Sequence, residues 1–369
     1  MIRVCHMTSA HGPEDVRIFH KECTSIAQAG YEVYLVERGE SYEKNDVHIV
    51  GVGEIPRNRL KRMTEGAKKV YRKALALNCD IYHFHDPELL PYGLKLKRKG
   101  KKVIFDSHEN TVEQIKEKTW IPNWIRKTLY FIFDKYQRYA CRRFDSIISV
   151  TPHICDYFKQ CNENTIMVTN YPRLQTTQER ERERNTLCFA GGIDKQWGHE
   201  KIIHALEHIP DCRYILCGRA EENYLGTLKK LPGWFQTDYR GVLPHESVNG
   251  VLSSAFVGMA VLSYSNNTAF SLGTLGNTKV FEEMMAGLPV ICTGFELWKE
   301  FVQRYDCGIC VDPENTDEIA SAIRYLLDHP EEARRMGENG RRAVEQEFNW
   351  GMEEMKLLSL YEGLTNGAK

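Results

Sequence analysis

The chain has 369 residues, about two to three times the usual domain size, so two separately packed domains are expected. Its 49 Lys+Arg and 50 Asp+Glu leave a net charge of -1, which gives no reason to expect nucleic acid or another polyanion as the main partner. The charge is uneven, since residues 1–170 sum to +7 and residues 171–369 to -8, and only the first half suits an anionic surface. The twelve cysteines stand singly in apolar stretches of a chain long enough to need no staples, and they read as reduced. The N-terminus has no apolar leader core, and the longest apolar stretch, near Ala255 to Leu262, is far below the roughly 18 residues that span a bilayer. A cytosolic location is expected, with peripheral contact to a membrane left open.

In chain order, short β-branched or aromatic runs alternate with helical patterns, as in βαβ units around a parallel sheet. Ile2 to Met7 predicts a strand, Val16 to Ala29 a helix stopped by Gly30, and Glu32 to Val36 a second strand. Strands follow at Val47 to Val50, Ile81 to His85, Val103 to Asp106, Ser146 to Val150 and Ile166 to Thr169. Between Asn170 and Arg184 lies a polar, charge-alternating run with nothing to bury, either a linker or an exposed excursion. A second series then begins: strands at Leu187 to Ala190, Tyr214 to Cys217, Phe256 to Leu262 and Pro289 to Cys292, with helices from about His199 and Asn277. The fold class is α/β, two doubly wound, Rossmann-like domains in tandem. The last helix, roughly Gly351 to Leu364, is apolar around most of its circumference, which suggests that it crosses between the domains.

Ligands of open α/β sheets bind beyond the carboxyl ends of the strands, so the loops there are the first candidates. Thr8 to Asp15, including His11 and Gly12, is a small-residue loop with Asp15 placed to cap the helix; it reads either as an ordinary turn or as a backbone approach for an oxygen-rich ligand. Phe105-Asp106-Ser107-His108-Glu109 ends a strand in four polar residues. There His108 either exchanges a proton with a substrate hydroxyl or satisfies a helix start. In Ala190-Gly191-Gly192-Ile193-Asp194-Lys195 the glycines remove the Cβ atoms that would hold a phosphate off the backbone, and Lys195 adds charge. Arg219 follows another strand end.

The string from Gly276 to Ile291 is the most informative. A polar helix start with Asn277, Thr278 and Lys279 leads into Glu282, and the helix stops at Gly287. A helix tip of this kind accepts a diphosphate, and a carboxylate just inside accepts hydrogen bonds from a ribose diol. On composition alone, Glu282 and Glu283 are both expected as solvated helix residues. His83-Phe84-His85-Asp86 has the outline of a dinuclear metal motif, but Pro87 stands where that motif needs Asp, so a buried strand end is expected. Cys307 and Cys310 form one CxxC without a second pair, and no metal is expected.

Taken together, these strings resemble the GT-B glycosyltransferases of the retaining family 4, also called group 1 transferases. The resemblance spans nearly the whole chain: Thr8 to Gly12 with Arg17 to Glu22, His83 to Glu88, Phe105 to Glu109, Ala190 to Gly192, Asn277 to Glu282, Ala286 to Val290 and Cys307 to Pro313. It implies two domains facing across a cleft. Residues 1–170, with helix 351–369 packing back on them, would hold the acceptor, and residues 171–350 the nucleotide-sugar. It further implies that Glu282 binds the ribose, that the amides of Asn277 and Thr278 bind sugar and phosphates, and that Lys279, Lys195 or Arg219 offsets diphosphate charge. His108 would touch the donor sugar near the reacting carbon, and His11 and Gly12 would line the acceptor side.

No cofactor or metal is implied; the donor substrate would be a nucleotide-diphosphate sugar, UDP-linked rather than GDP-linked, and the acceptor a glycan or lipid-linked glycan of cell-surface polysaccharide synthesis. The family commonly carries an acidic residue where this chain has Thr274, which puts the donor-sugar contacts in question. A nucleotide-sugar epimerase of the same architecture and a non-catalytic nucleotide-sugar-binding scaffold are the alternatives. The basic half adds two helical patterns, Arg57 to Ala74 and Trp120 to Tyr139, with aromatic and basic residues interleaved. They read either as helices resting on an anionic bilayer or as ordinary helices packed on a sheet.

Overall fold

The computed structural model describes residues 1–56, 58–109, 111–117, 121–175, 181–266 and 268–366. Arg57 and Trp120 of the two basic patterns, and residues 176–180 of the charged run, lie outside them. The chain divides into two compact units, Met1–Asn170 with Trp350–Lys369, and Tyr171–Asn349.

The first unit is built on β1 (Arg3–Met7), β2 (Glu32–Glu37), β3 (Tyr42–Lys44), β4 (Val47–Gly51), β5 (Ile81–Phe84), β6 (Lys102–Ser107), β7 (Ser146–Ser149) and β8 (Thr165–Met167). Their order across the sheet is β3-β4-β2-β1-β5-β6-β7-β8, parallel throughout except for β3 against β4. The unpredicted β3 is a short polar edge strand, returned by Asn45 and Asp46, which both take positive φ as a two-residue hairpin turn requires. Strand order reverses at β1, where β1 pairs with β2 on one side and β5 on the other.

Strand alternation divides the apolar side chains of this sheet between two cores. One face carries Cys5, Met7, Tyr82, Phe84, Val103 and Phe105; the other carries Val4, Val33, Leu35, Ile81 and Ile104. The second face is covered by residues 16–28, wound as a π-helix over Val16–Cys23 and as an α-helix over Thr24–Gln28, and by the C-terminal helix Trp350–Asn366. Asp15 caps the first of these through its carboxylate, which accepts from the Arg17 and Ile18 amides. In the C-terminal helix Trp350, Leu357, Leu360, Tyr361 and Leu364 are buried, whereas Met352 and Met355 stay exposed. Its apolar surface is therefore sided rather than all-round. Trp350 Nε1 donates to Ser25 at 2.9 Å and Glu353 accepts from the Thr169 amide at 2.8 Å, which anchors the helix in the first unit.

The second unit holds β9 (Thr186–Ala190), β10 (Arg213–Cys217), β11 (Thr237–Gly241), β12 (Val257–Ala260), β13 (Val290–Thr293) and β14 (Gly308–Val311), all parallel in the order β11-β10-β9-β12-β13-β14. In sequence terms this is 3-2-1-4-5-6, the dinucleotide-binding order, with its switch point between β9 and β12. Strands β11 and β14 and the helices Thr316–Asp328 and Pro330–Gln346 add to the predicted elements. The charged run is not idle at its end: the Arg182 guanidinium donates to the carbonyls of Ala255, Ala286 and Gly287, holding the close of the helix Lys279–Met285. All twelve cysteines are unpaired. Among the described residues no helix is long and apolar enough to cross a membrane.

Candidate active site

Each unit gathers polar side chains at its own switch point, where neighbouring strands diverge and leave the strand ends open. In the first unit the loop after β1 wraps around Asp86. That buried carboxylate accepts from the Thr8 hydroxyl at 2.9 Å and from the amides of Ser9 at 2.6 Å and Ala10 at 3.2 Å. The loop amides expected to face a ligand are therefore already used within the protein. His11 completes the cage, its Nδ1 3.1 Å from Asp86 Oδ1. Burial opposes charge on both groups, but the pair wins: Asp86 is held well below the usual carboxylate range and His11 is raised above the ordinary histidine value. Gly12 lies 3.1 Å, as measured to an added Cβ, from the Arg38 guanidinium.

A second carboxylate, Asp106 on β6, is wholly buried. Arg17 grips it bidentately, Nη2 at 3.1 and 2.9 Å from the two oxygens with Nε at 3.1 Å, and His108 Nε2 lies 3.0 Å away. Burial acts to raise the Asp106 pKa, but Arg17 and His108 hold it well below the usual range. The rings of His11 and His108 have centroids 5.1 Å apart, so the two predicted histidines of this unit do come together, each tied to its own carboxylate. The sequence reading missed Arg17, His85, Asp86 and Asp106 as anchors. Strand parity could have found His85 and Asp106: with His6 and His83 they continue the face that buries Val4, Ile81 and Ile104, whereas Arg17 lies on a helix and Asp86 past the strand end.

His6, Glu22, His83 and His85 also bring one ligand atom each within 4.8 Å of one another, a grouping able to hold a metal ion. The geometry favours hydrogen bonding there instead. His6 Nδ1 and His85 Nε2 pair directly at 3.0 Å, and the Arg17 cation stands 3.0 Å from Glu22. Burial drives Glu22 well above the carboxylate range and His6 and His83 well below the histidine value, so the cluster resists added positive charge.

In the second unit Gly191 and Gly192 follow β9, and the loop is tied to the one after β10 by Gly191 N to Cys217 O and Ile193 N to Arg219 O, both 2.9 Å. Gly218 makes this approach possible. Its φ is +142°, and an added Cβ would fall 1.7 Å from the Gly191 carbonyl oxygen. Lys195 and Arg219 are exposed beside the glycines. An added Cβ on Gly191 would meet Lys279 Cε at 2.9 Å, which puts the helix start Lys279–Met285 against the same loop.

Asn277 and Thr278 precede that helix, and Thr278 Oγ1 donates to Glu282 Oε1 at 3.0 Å while Lys279 Nζ lies 2.9 Å from Glu282 Oε2. Glu282 keeps about a third of its side chain accessible, 33%. Glu283 does not match its expected solvation: it is 2% exposed, and burial pushes its pKa well above the carboxylate range. Thr274 is buried, its hydroxyl accepting from the Gly276 amide and its carbonyl from Trp298 Nε1. Just before it, Ala269 and Phe270 both take positive φ, +48° and +53°, a strained turn of the kind held in binding loops.

Residues 16–169 match the model described as Glycosyltransferase Family 4, and residues 172–343 the model described as Glycosyl transferases group 1. The MMP alpha-(1->4)-mannosyltransferase of Mycolicibacterium hassiacum is 25% identical over 296 residues, covering 75% of this chain and 69% of that protein. Sucrose-phosphate synthase from Thermosynechococcus elongatus superposes with a TM-score of 0.79 at 17% identity over 100% of both chains. Anabaena Alr3699/HepE in complex with UDP and glucose gives 0.74 at 12%, over 98% of this chain and 100% of that one. The fold is GT-B, two parallel-sheet α/β units. The chain belongs to the group 1, family 4 type of glycosyltransferases, and it is a glycosyltransferase.

Proposed function

We propose that the protein is a retaining, metal-independent hexosyltransferase. It takes a sugar from a nucleotide-diphosphate donor, UDP-linked, and delivers it to a hydroxyl of a glycan or lipid-linked glycan in cell-surface polysaccharide synthesis. The observation that carries the reading is the meeting of Lys279, Thr278 and Glu282 with the Gly191 loop at the switch point of the second unit. A UDP-bound neighbour of the same fold supports the choice of nucleotide.

In this proposal Glu282 accepts from the ribose hydroxyls and Lys279 exchanges its present carboxylate partner for the diphosphate. Gly191 and Gly192 admit the phosphates to the backbone, with Asn277, Thr278, Lys195 and Arg219 supplying further donors and charge. The anomeric carbon–oxygen bond breaks, the acceptor oxygen bonds to the same carbon from the same face, and the departing phosphate oxygen takes the acceptor's proton. Negative charge grows on the phosphate and positive charge on the sugar ring, so fixed donors and cations supply most of the rate gain. His108 meets the donor sugar, with His11 and Gly12 on the acceptor side.

Glu282→Ala is expected to raise the Kd for UDP at least tenfold in calorimetry, since a charged acceptor of two hydrogen bonds contributes on the order of 1.5–3 kcal/mol. His108→Ala is expected to lower kcat with little change in nucleotide affinity. A folded pair of variants with unaltered Kd and kcat removes these assignments. Diphosphate release without acceptor dependence, or an epimerised donor, removes the transferase reading itself.

We infer further that the helix Asn123–Cys141 meets an anionic membrane surface. Phe133 and Tyr136 pack on the core, but Trp124 is 80% exposed, and Phe131 and Ile132 are exposed among Arg126, Lys127 and Lys135.

A further inference from the structure

The histidines behind His108 form one connected chain. His83 Nδ1 lies 2.8 Å from the Tyr361 hydroxyl, which lies 3.2 Å from His6 Nε2. His6 Nδ1 is 3.0 Å from His85 Nε2, and His85 Nδ1 is 3.4 Å from Asp106 Oδ2, the oxygen that His108 Nε2 also approaches. The charge on Asp106 favours one running direction. An Asp106 paired to Arg17 accepts and cannot donate, so His108 Nε2, 3.0 Å away, carries a proton toward it, and His85 Nδ1, 3.4 Å from the same oxygen and 3.2 Å from His108 Nε2, is assigned a proton in the same direction. His85 Nε2 then accepts from His6 Nδ1–H, His6 Nε2 accepts from the Tyr361 O–H, and the Tyr361 oxygen accepts from His83 Nδ1–H. Reversing the chain would turn a lone pair of His85 Nδ1 toward the Asp106 carboxylate; the His108 Nε2–H, 3.2 Å from His85 Nδ1, offsets that repulsion only in part, because Asp106 already takes its proton in a buried site.

We propose that Asp106 is the positioning residue of His108, fixing the tautomer of its neutral form with the proton on Nε2 so that Nδ1 presents a lone pair to a donor-sugar hydroxyl, and that Tyr361 of the C-terminal helix sets the direction of the chain that feeds Asp106. The proposal deepens the reading of His108 as a donor-sugar contact and rests on it for its catalytic consequence. The fixed tautomer accepts from a sugar hydroxyl and disfavours an acceptor-only substituent, such as an ether oxygen or fluorine, at this position.

The test uses the full-length protein with 15N-labelled histidine. Spectra are expected to show a protonated Nε2 and an unprotonated Nδ1 for His108; the opposite tautomer overturns the proposal, whatever the kinetics show. Asp106→Asn is expected to mix or invert the tautomer and to lower kcat roughly a hundredfold, as displacement of a positioned group does. Because that change also strips Arg17 of its partner and can prevent folding, Tyr361→Phe is the second variant. It removes one hydrogen-bonding oxygen and keeps the ring, and is expected to lower kcat several-fold while leaving the donor KM within about twofold.

In a His108→Ala background Tyr361→Phe is expected to have no further effect on kcat. An equal loss in both backgrounds, or a folded Tyr361→Phe protein with wild-type kcat and tautomer, overturns the role of Tyr361. If instead His108→Ala itself leaves kcat unchanged while the spectra show the assigned tautomer, the donor-sugar reading fails and the hydrogen-bond assignment stands.

Discussion

Buried carboxylates in this protein behave according to what lies within hydrogen-bond reach. Asp86 and Asp106 are ringed by donors and stay charged, whereas Glu37, at the end of β2, is almost wholly buried, and the Glu14 backbone and the Arg38 cation offset only part of that cost. Burial, reinforced by the charge of Glu14, raises the Glu37 pKa to about 7 from 4.5. The folded chain therefore holds a proton that the unfolded chain has lost between those values. The associated stability is present in full below pH 4.5 and disappears as pH rises through about 7. Glu37→Gln mimics the protonated acid, so its urea denaturation should match the parent near pH 4. At pH 8 it should be the more stable form by up to roughly 3 kcal/mol. A difference that does not change with pH would refute the assignment. The same scale shows what the sequence could and could not disclose. The string around Glu282 was legible because residue types and spacing carry it. The burial of Glu283 was not, because it depends on Gly258 across the fold, where an added Cβ would come within 2.6 Å of Glu283 Oε2.

Secondary elements were legible where a run of apolar residues had to be buried, and hidden where it did not. The central strands β1, β5, β9 and β12 carry nearly unbroken buried runs and fall within a residue or two of their predicted spans. The edge strands β3 and β11 are polar and half exposed, each packing a single tyrosine, Tyr42 and Tyr239, against a core, so no alternation marks them. Helical period likewise could not say which half of an amphipathic surface was left over. In Asn123–Cys141 the packing uses the C-terminal half, burying Gln137, Ala140 and Cys141, and leaves the aromatic N-terminal half outside. Replacing Trp124 and Ile132 together by Ser removes two exposed apolar side chains and no charge. The double variant should keep its melting temperature and lose about tenfold or more in affinity for anionic liposomes at low salt, while zwitterionic liposomes bind neither form. Absence of parent binding to anionic liposomes at low salt would discard the membrane surface as a partner.

At the scale of the whole chain, the two units differ in how they close. The second is one continuous segment, Tyr171–Asn349, with its own core running from Tyr171 to Phe348. The first is discontinuous: one face of its sheet is finished by a helix that follows the whole second unit in the chain. That helix contributes Trp350, Leu357, Leu360, Tyr361 and Leu364, all buried, and the hydroxyl that joins His6 to His83. At roughly 1.5–3 kcal/mol for each large apolar side chain, its removal would withdraw as much as the 5–15 kcal/mol that typically separates a folded domain from its unfolded chain. The loss would also leave the polar histidine layer facing water on one side. A chain ending at Asn349 is therefore expected to keep one cooperative unfolding transition, belonging to the second unit. The amides of β1, β5 and β6 should exchange with solvent at rates near those of an unfolded segment. Adding a peptide of residues 350–366 should restore protection to those same strands, because the missing surface is a single helical face. Full protection of β1 and β5 in the truncated chain would mean that the sheet closes without the helix, and that the direction of the histidine chain is set from within residues 1–170.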